Sequence, residues 1–216
     1  MISTRNLSAL PSIPELKRLI QSLAVLDAII EPQWEYRYYS LDANWGDGEQ
    51  MASMRNGSGD EWFCVFSDAG AFLKGFDHES PMSPWKFDPK RAWPGVLDQV
   101  PEIFQPFAVE PAFSMDETTF CCWRTHGDST WHTGQIQFPA DREDPDGSQW
   151  MLSILDGDPQ QYHSWAESYY ERTIPLDLVE HVYQHKPITH DFIRELNPDC
   201  DVEAVLAEIA EIGYPG

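Results

Sequence analysis

Basic residues are scarce in this chain: 14 Lys and Arg stand against 36 Asp and Glu, a net charge of −22 over 216 residues. A surface so charged repels nucleic-acid phosphates and anionic lipid headgroups, so neither is an expected partner. Cysteine is sparse too, and Cys64, Cys121, Cys122 and Cys200 show no paired spacing of the kind that marks a disulfide framework or a zinc site. Adjacent Cys121 and Cys122 would point to opposite faces of a strand, which keeps them from pairing with each other. Free thiols suit a reducing compartment, and a cytoplasmic location is the expectation. Long apolar runs are missing as well. No stretch approaches the roughly 20 apolar residues that cross a bilayer, and the opening "MISTRNLSALPSIPELKR" has no apolar core after a basic start.

Catalytic signatures are equally thin. The sequence holds no Gly-x-Ser-x-Gly elbow and no Gly-Lys-Ser/Thr phosphate loop. Two acidic loops, "REDPDGS" and "DANWGDGEQ", miss the EF-hand pattern: in the first, Arg142 stands at the first ligand position and Ser153 at the twelfth, and in the second Asp47 replaces the glycine. Both read as solvated turns. "WRTHGDSTWH" and "KGFDHESP" cluster His, Asp and Arg near strand ends, and polar hairpin tips explain them as well as chemistry does.

What is present is ample core. The hydrophobic fraction is 42%, with nine Trp, eight Tyr and eleven Phe, so the chain can bury a sizeable interior. Residues 1–11 read as an irregular N-terminal arm and 12–216 as one α+β domain. "SIPELKRLIQSLAVLDAIIE" reads as an amphipathic helix opened by Ser12 and Glu15 at capping-box spacing, with Asp27 the one polar interruption of its stripe. Period-two texture follows in "EYRYYSL" (35–41), "QMASMRN" (50–56), "EWFCVFS" (61–67) and "AFLKGF" (71–76). Short turns between them favour an antiparallel meander, because parallel neighbours need long crossovers. A proline-rich connection over 77–113, with short helices expected around 95–99 and 101–106, packs on the body. Strands are expected again at 118–125, 131–139 and 149–156, followed by helices from Asp158 onward. The fold class is therefore α+β: a largely antiparallel sheet of about six or seven strands, an N-terminal helix and a C-terminal helical cluster.

The glycines of "NGSGD" (56–60) precede a strand rather than a helix, so their amides have no helix dipole to help them hold an anion. The stretch reads as a hairpin reversal in which Gly57 or Gly59 takes positive φ. Arg55, Asn56, Ser58 and Asp60 flank it, and a ligand-contacting role is the secondary reading.

Two sets of candidate site residues emerge. Asp177, His181 and His185 step by four along one helix and could present divalent-metal ligands, with His190 nearby, although the His-Glu-x-x-His order is absent. Glu203, Glu208 and Glu211 lie off the apolar stripe of the last helix. The charge is lopsided: residues 1–100 hold nine basic and fourteen acidic residues, or −5, and the remaining five and twenty-two give −17. The expected function is accordingly a protein-interaction module that binds a basic protein partner, immunity- or antitoxin-like by analogy, with the question of catalysis left open by the absence of a motif. No cofactor is expected. The alternatives are a metal-assisted hydrolase using the His/Asp stripe, and a domain whose acidity serves solubility alone.

Overall fold

Ser12 donates from both its backbone N (3.0 Å) and its Oγ (2.6 Å) to the Glu15 carboxylate, which starts helix α1, Ile13–Ile30. This is seen in a computed structural model that describes residues 1–140 and 142–215. From Leu19 to Ile30 every residue of α1 is buried, Gln21, Ser22 and Asp27 among them. An amphipathic stripe was the expectation, and it holds over the first turns, where Pro14, Glu15 and Arg18 are exposed and Ile13 and Leu16 buried; from Leu19 onward the helix is instead buried all round and lies in the middle of the molecule. It packs on the sheet on one side and on the C-terminal helices on the other.

The sheet is an antiparallel meander in strict sequence order: β1 Tyr39–Gly46, β2 Glu49–Arg55, β3 Glu61–Ser67, β4 Gly70–Phe76, β5 Phe120–Thr125 and β6 His132–Thr133. Register follows side-chain parity. Ala52, Cys64, Leu73 and Cys122 lie opposite one another across four strands and face α1. Phe63, Val65, Phe72, Cys121 and Trp123 alternate with them and face the other way. Adjacent Cys121 and Cys122 thus enter two different cores. The second core is closed by Met82, Val96, Phe104, Phe107 and Phe113 of the long connection, which is packed on the body as its aromatic content requires. Burial on both faces explains why β3 and β4 read as nearly continuous apolar runs.

The connection carries helix α2, Gln105–Ala108, after a 3-10 turn at Glu102–Phe104. After β6 come α3 Ser148–Leu152, α4 Pro159–Tyr170, α5 Leu176–Tyr183, α6 His190–Leu196 and α7 Val202–Ile212. Asp158, Thr189 and Asp201 cap α4, α6 and α7 with their side chains, and Gly213 ends α7 at φ 72°. The arm is anchored as well: Ile2 is buried, and Thr4 N donates to Ser148 Oγ at 3.0 Å.

Four expectations are corrected. Residues 149–156 are helical, because Asp144 accepts from Gln149 N and Trp150 N (both 3.0 Å) and opens α3. Met151, Leu152, Ile154 and Leu155 then fall on one buried side, which is helical rather than strand spacing. Only His132 and Thr133 of 131–139 pair with β5. At Gly134 the chain leaves the sheet and passes so close to Gly95 that a Cβ would lie 1.8 Å from the Gly95 carbonyl oxygen, and Ile136 and Phe138 go to the second core instead. The strand expected at 35–41 begins only at Tyr39, after a 3-10 turn at Trp34–Tyr36. Residues 95–99 form turns, with Gly95 at φ 92°, outside helical space.

The hairpin at 56–60 is a reversal, with Gly57 at φ 72° and Gly59 at φ 108°. Asn56 Oδ1 accepts from Ser58 N (2.8 Å) and Asp60 N (3.1 Å), closing the turn on itself. Gly57→Val is expected to cost about 1–2 kcal/mol, since a β-branched residue strains at positive φ. Gly57→Asn, which tolerates that region, should cost less. A Cβ at Gly57 meets nothing within 4 Å, so urea unfolding of the two variants reads backbone strain alone. Equal costs would contradict the assignment.

Candidate binding cleft

Helix α1 ends at Ile30, and the chain must turn back before it can enter β1. Arg37 organises that turn from within: Nε donates to the Glu31 carbonyl (2.7 Å) and Nη2 to the Pro32 carbonyl (2.6 Å) and to Glu208 Oε2 (2.7 Å). Its side chain is 3% exposed, and the guanidinium spends its donors on these partners. With Arg37 drawn inward, Trp34 and Tyr36 are turned outward.

Behind the turn lies Asp27, wholly enclosed. Its carboxylate accepts from the Tyr162 hydroxyl (2.6 Å), Tyr39 N (2.7 Å) and Tyr38 N (3.2 Å). Burial pushes its pKa up to about 6, against the opposing pull of these hydrogen bonds. The carboxylate joins α1, the start of β1 and α4 at a single point. In α4, Tyr169 stacks on Trp165 (5.2 Å) and meets Tyr38 edge-on (5.0 Å), and the Tyr170 hydroxyl is buried close to the Asp27 carboxylate.

Between these elements is a cleft of about 470 Å³. Glu31, Trp34, Glu35 and Tyr36 form one wall, Tyr169 and Tyr170 another, and Ser40, Ser53, Arg55 and Gly57 come from the β1–β2 ladder and its hairpin. Ser40 and Ser53 hydroxyls bond each other across the ladder at 2.7 Å. Trp34, Tyr36 and Tyr169 remain 54%, 58% and 41% exposed at the rim. The Arg55 guanidinium lies 4.6 Å from the Trp34 ring centroid and 5.8 Å from that of Phe63. Flat rings, the Arg55 guanidinium (unpaired among the described residues) and the Glu31 and Glu35 carboxylates suit the cleft to binding. No cysteine lines the cleft; Cys64, Cys121 and Cys122 are buried, and burial pushes each of these thiols well up.

The residues singled out from the sequence are placed elsewhere or differently. Helix α5 stops at Tyr183 and His185 turns away at φ 55°, so Asp177, His181 and His185 do not share a continuous helical stripe. His181 Nε2 donates to the Pro187 carbonyl (2.9 Å) and His185 Nε2 to the Arg18 carbonyl (2.8 Å), the latter ring stacked on Tyr214. These imidazoles tie helices together, and among the described residues no three His, Cys, Asp or Glu side chains gather as metal ligands. Glu203 pairs with His190 at 2.9 Å and Glu211 is exposed, but Glu208 is the ion-pair partner of Arg37. In "KGFDHESP", His78 pairs with Asp60 at 2.7 Å and so ties the loop to the hairpin. Asp128 caps its own turn through Thr125 N and Oγ1 (both 2.8 Å).

Of the cleft residues, only Arg55 and Gly57 stand out in the sequence, as the flank and the turn of a hairpin. Trp34, Tyr36 and Tyr169 carry no sequence signal separating an exposed aromatic from a core one.

Fold and cleft together define an acidic α+β protein whose six-stranded meander is covered by helices on one face and by a long aromatic connection on the other. No protein-family model, curated protein or solved structure matches the chain. No helix among the described residues is long and apolar enough to cross a membrane.

Proposed function

We propose that this chain is a protein-interaction module that docks a basic protein partner over the aromatic-rimmed cleft. The observation that carries the reading is the gathering of three exposed aromatic side chains, Trp34, Tyr36 and Tyr169, at the mouth of one concavity. Exposed Trp and Tyr around a pocket supply anchor area at low entropic cost, the composition of interaction hot spots. The net charge of −22 supports a basic partner, because it speeds encounter with positive surfaces and repels acidic ones.

The test is capture from the source cells with the wild type and with the triple variant Trp34→Ser/Tyr36→Ser/Tyr169→Ser, at low and high salt. A basic protein held by the wild type at low salt, lost at high salt and lost with the triple variant is the expected result. A partner retained by the triple variant moves recognition off the cleft and refutes the reading, as does capture of nothing basic. Circular dichroism checks that the variant, altered only at exposed positions, is folded.

A further inference from the structure

Arg55 stands out for what it does not do. In a chain with 36 carboxylates, its guanidinium makes no ion pair and donates no hydrogen bond to any described residue, and only rings hold it. The stack is continuous: Trp34, Arg55, Phe63, Phe113 and Trp45, with Phe63–Phe113 at 5.4 Å and Phe113–Trp45 at 5.5 Å. A guanidinium held beside rings and without a hydrogen-bond partner keeps its N–H donors free, and holding it in place beforehand removes much of the entropy cost of using it. Arg37, the other arginine of the cleft, is consumed by Glu208 and two carbonyls. Arg55 is therefore the open donor array of the cleft. The Ser40 and Ser53 hydroxyls, which bond each other across the ladder, also line the cleft.

We infer that the cleft is a carboxylate-binding site in which Arg55 grips the carboxylate of a peptide and the rim rings cover the residue that carries it. The planar fork of a guanidinium matches the two oxygens of a carboxylate. A carboxylate is favoured over a phosphate by the cleft's own charge. Glu31 and Glu35 line the same concavity, so a doubly charged anion meets more repulsion there than a singly charged one. The volume of about 470 Å³ lies within the range of small-ligand pockets. The inference goes beyond docking of a basic partner and does not depend on it, since its probes are small molecules.

The experiment is a titration of the full chain followed by amide NMR at Ser40, Ser53 and Gly57, with N-acetyl-tyrosine, N-acetyl-tyrosinamide, N-acetyl-Asp-Tyr-amide and inorganic phosphate. N-acetyl-tyrosine is expected to shift these signals with an affinity at least about tenfold above that of its amide, the share of one charge-assisted pair. N-acetyl-Asp-Tyr-amide binding in its stead places the carboxylate on a side chain rather than a chain end and supports the same site. Arg55→Met should abolish the acid-over-amide preference, and Arg55→Lys, which keeps the charge but not the fork, should restore only part of it. Acid and amide binding alike, phosphate matching the acid, or no shift with any probe at tens of millimolar would each overturn the inference. Should Arg55→Met fail to fold, the wild-type comparison of acid with amide still decides.

Discussion

Glu208→Lys is expected to destabilise the protein by about 2–3 kcal/mol, since the buried Arg37 guanidinium loses its carboxylate but keeps two carbonyl acceptors, and the Glu208 side chain is itself 30% exposed. The Arg37 side chain is 3% exposed and Glu208 is its ionic partner. Lysine there would leave the guanidinium unpaired and set a second cation against it. Glu203→Lys and Glu211→Lys lie on the same helix and face solvent, so each should move stability by only about half a kcal/mol. Urea unfolding of the three single variants makes the comparison. The double variant Arg37→Met/Glu208→Met should be more stable than either of its single variants, because neither charge is then abandoned. A Glu208→Lys protein as stable as Glu203→Lys would show that the pair holds nothing together. The result also governs how charge steering is tested: the reversal of acidic residues on α7 has to be made at Glu203 and Glu211, leaving Glu208 alone.

The second large effect is a stability that rises on mild acidification and depends on Asp27. Its folded pKa of about 6 lies above the ordinary 3.8, so the folded state holds this proton more tightly than the unfolded chain does. The favourable contribution is fully present below about pH 4 and is lost as pH rises through about 6, roughly 3 kcal/mol across that window. Asp146, also buried and raised, and His78, raised by its bond to Asp60, act in the same direction; His185, lowered by burial, acts oppositely within the window, and the lowered Glu15, Glu117 and Asp128 act oppositely at lower pH. The difference between wild type and Asp27→Asn isolates the residue. Unfolding free energies measured from pH 7.5 to 4.5 should climb steeply in the wild type and more gently in Asp27→Asn. Parallel curves would mean that Asp27 is not held as the structure shows. Tyr162→Phe, which removes a donor to the ionised form (2.6 Å), should raise the pKa further and move the window to higher pH.

Asp27 also shows how far the sequence could be read. As the single polar residue of an apolar helical stripe it was visible as an interruption, but its three donors come from Tyr38, Tyr39 and Tyr162. Two lie just past the helix and one in α4, and nothing in the local pattern of α1 announces them. Residues 149–156 were misread for a related reason. A short apolar run fits a strand or a buried helix equally well, and the deciding feature is Asp144 capping α3 from outside the run.

The features legible in the sequence alone are local: the capped start of α1, the strand runs of β2 to β5, the reversal at Gly57 and Gly59, and the terminator Gly213. Each of these rests on forces acting within a few residues, such as a side chain closing on a nearby amide, steric limits on φ, or the two-residue period of a strand. Tertiary structure alone decided the cleft. Its walls come from residues 31, 34–37, 40, 53, 55, 57 and 169–170, and its support is Glu208, which reaches Arg37 across 171 positions of chain. Pairings over such separations depend on which faces the core brings together, and burial gives a residue no mark that its neighbours in sequence can reveal. Whether a glutamate on α7 meets solvent or holds a buried arginine is settled only when α7 packs beside the end of α1.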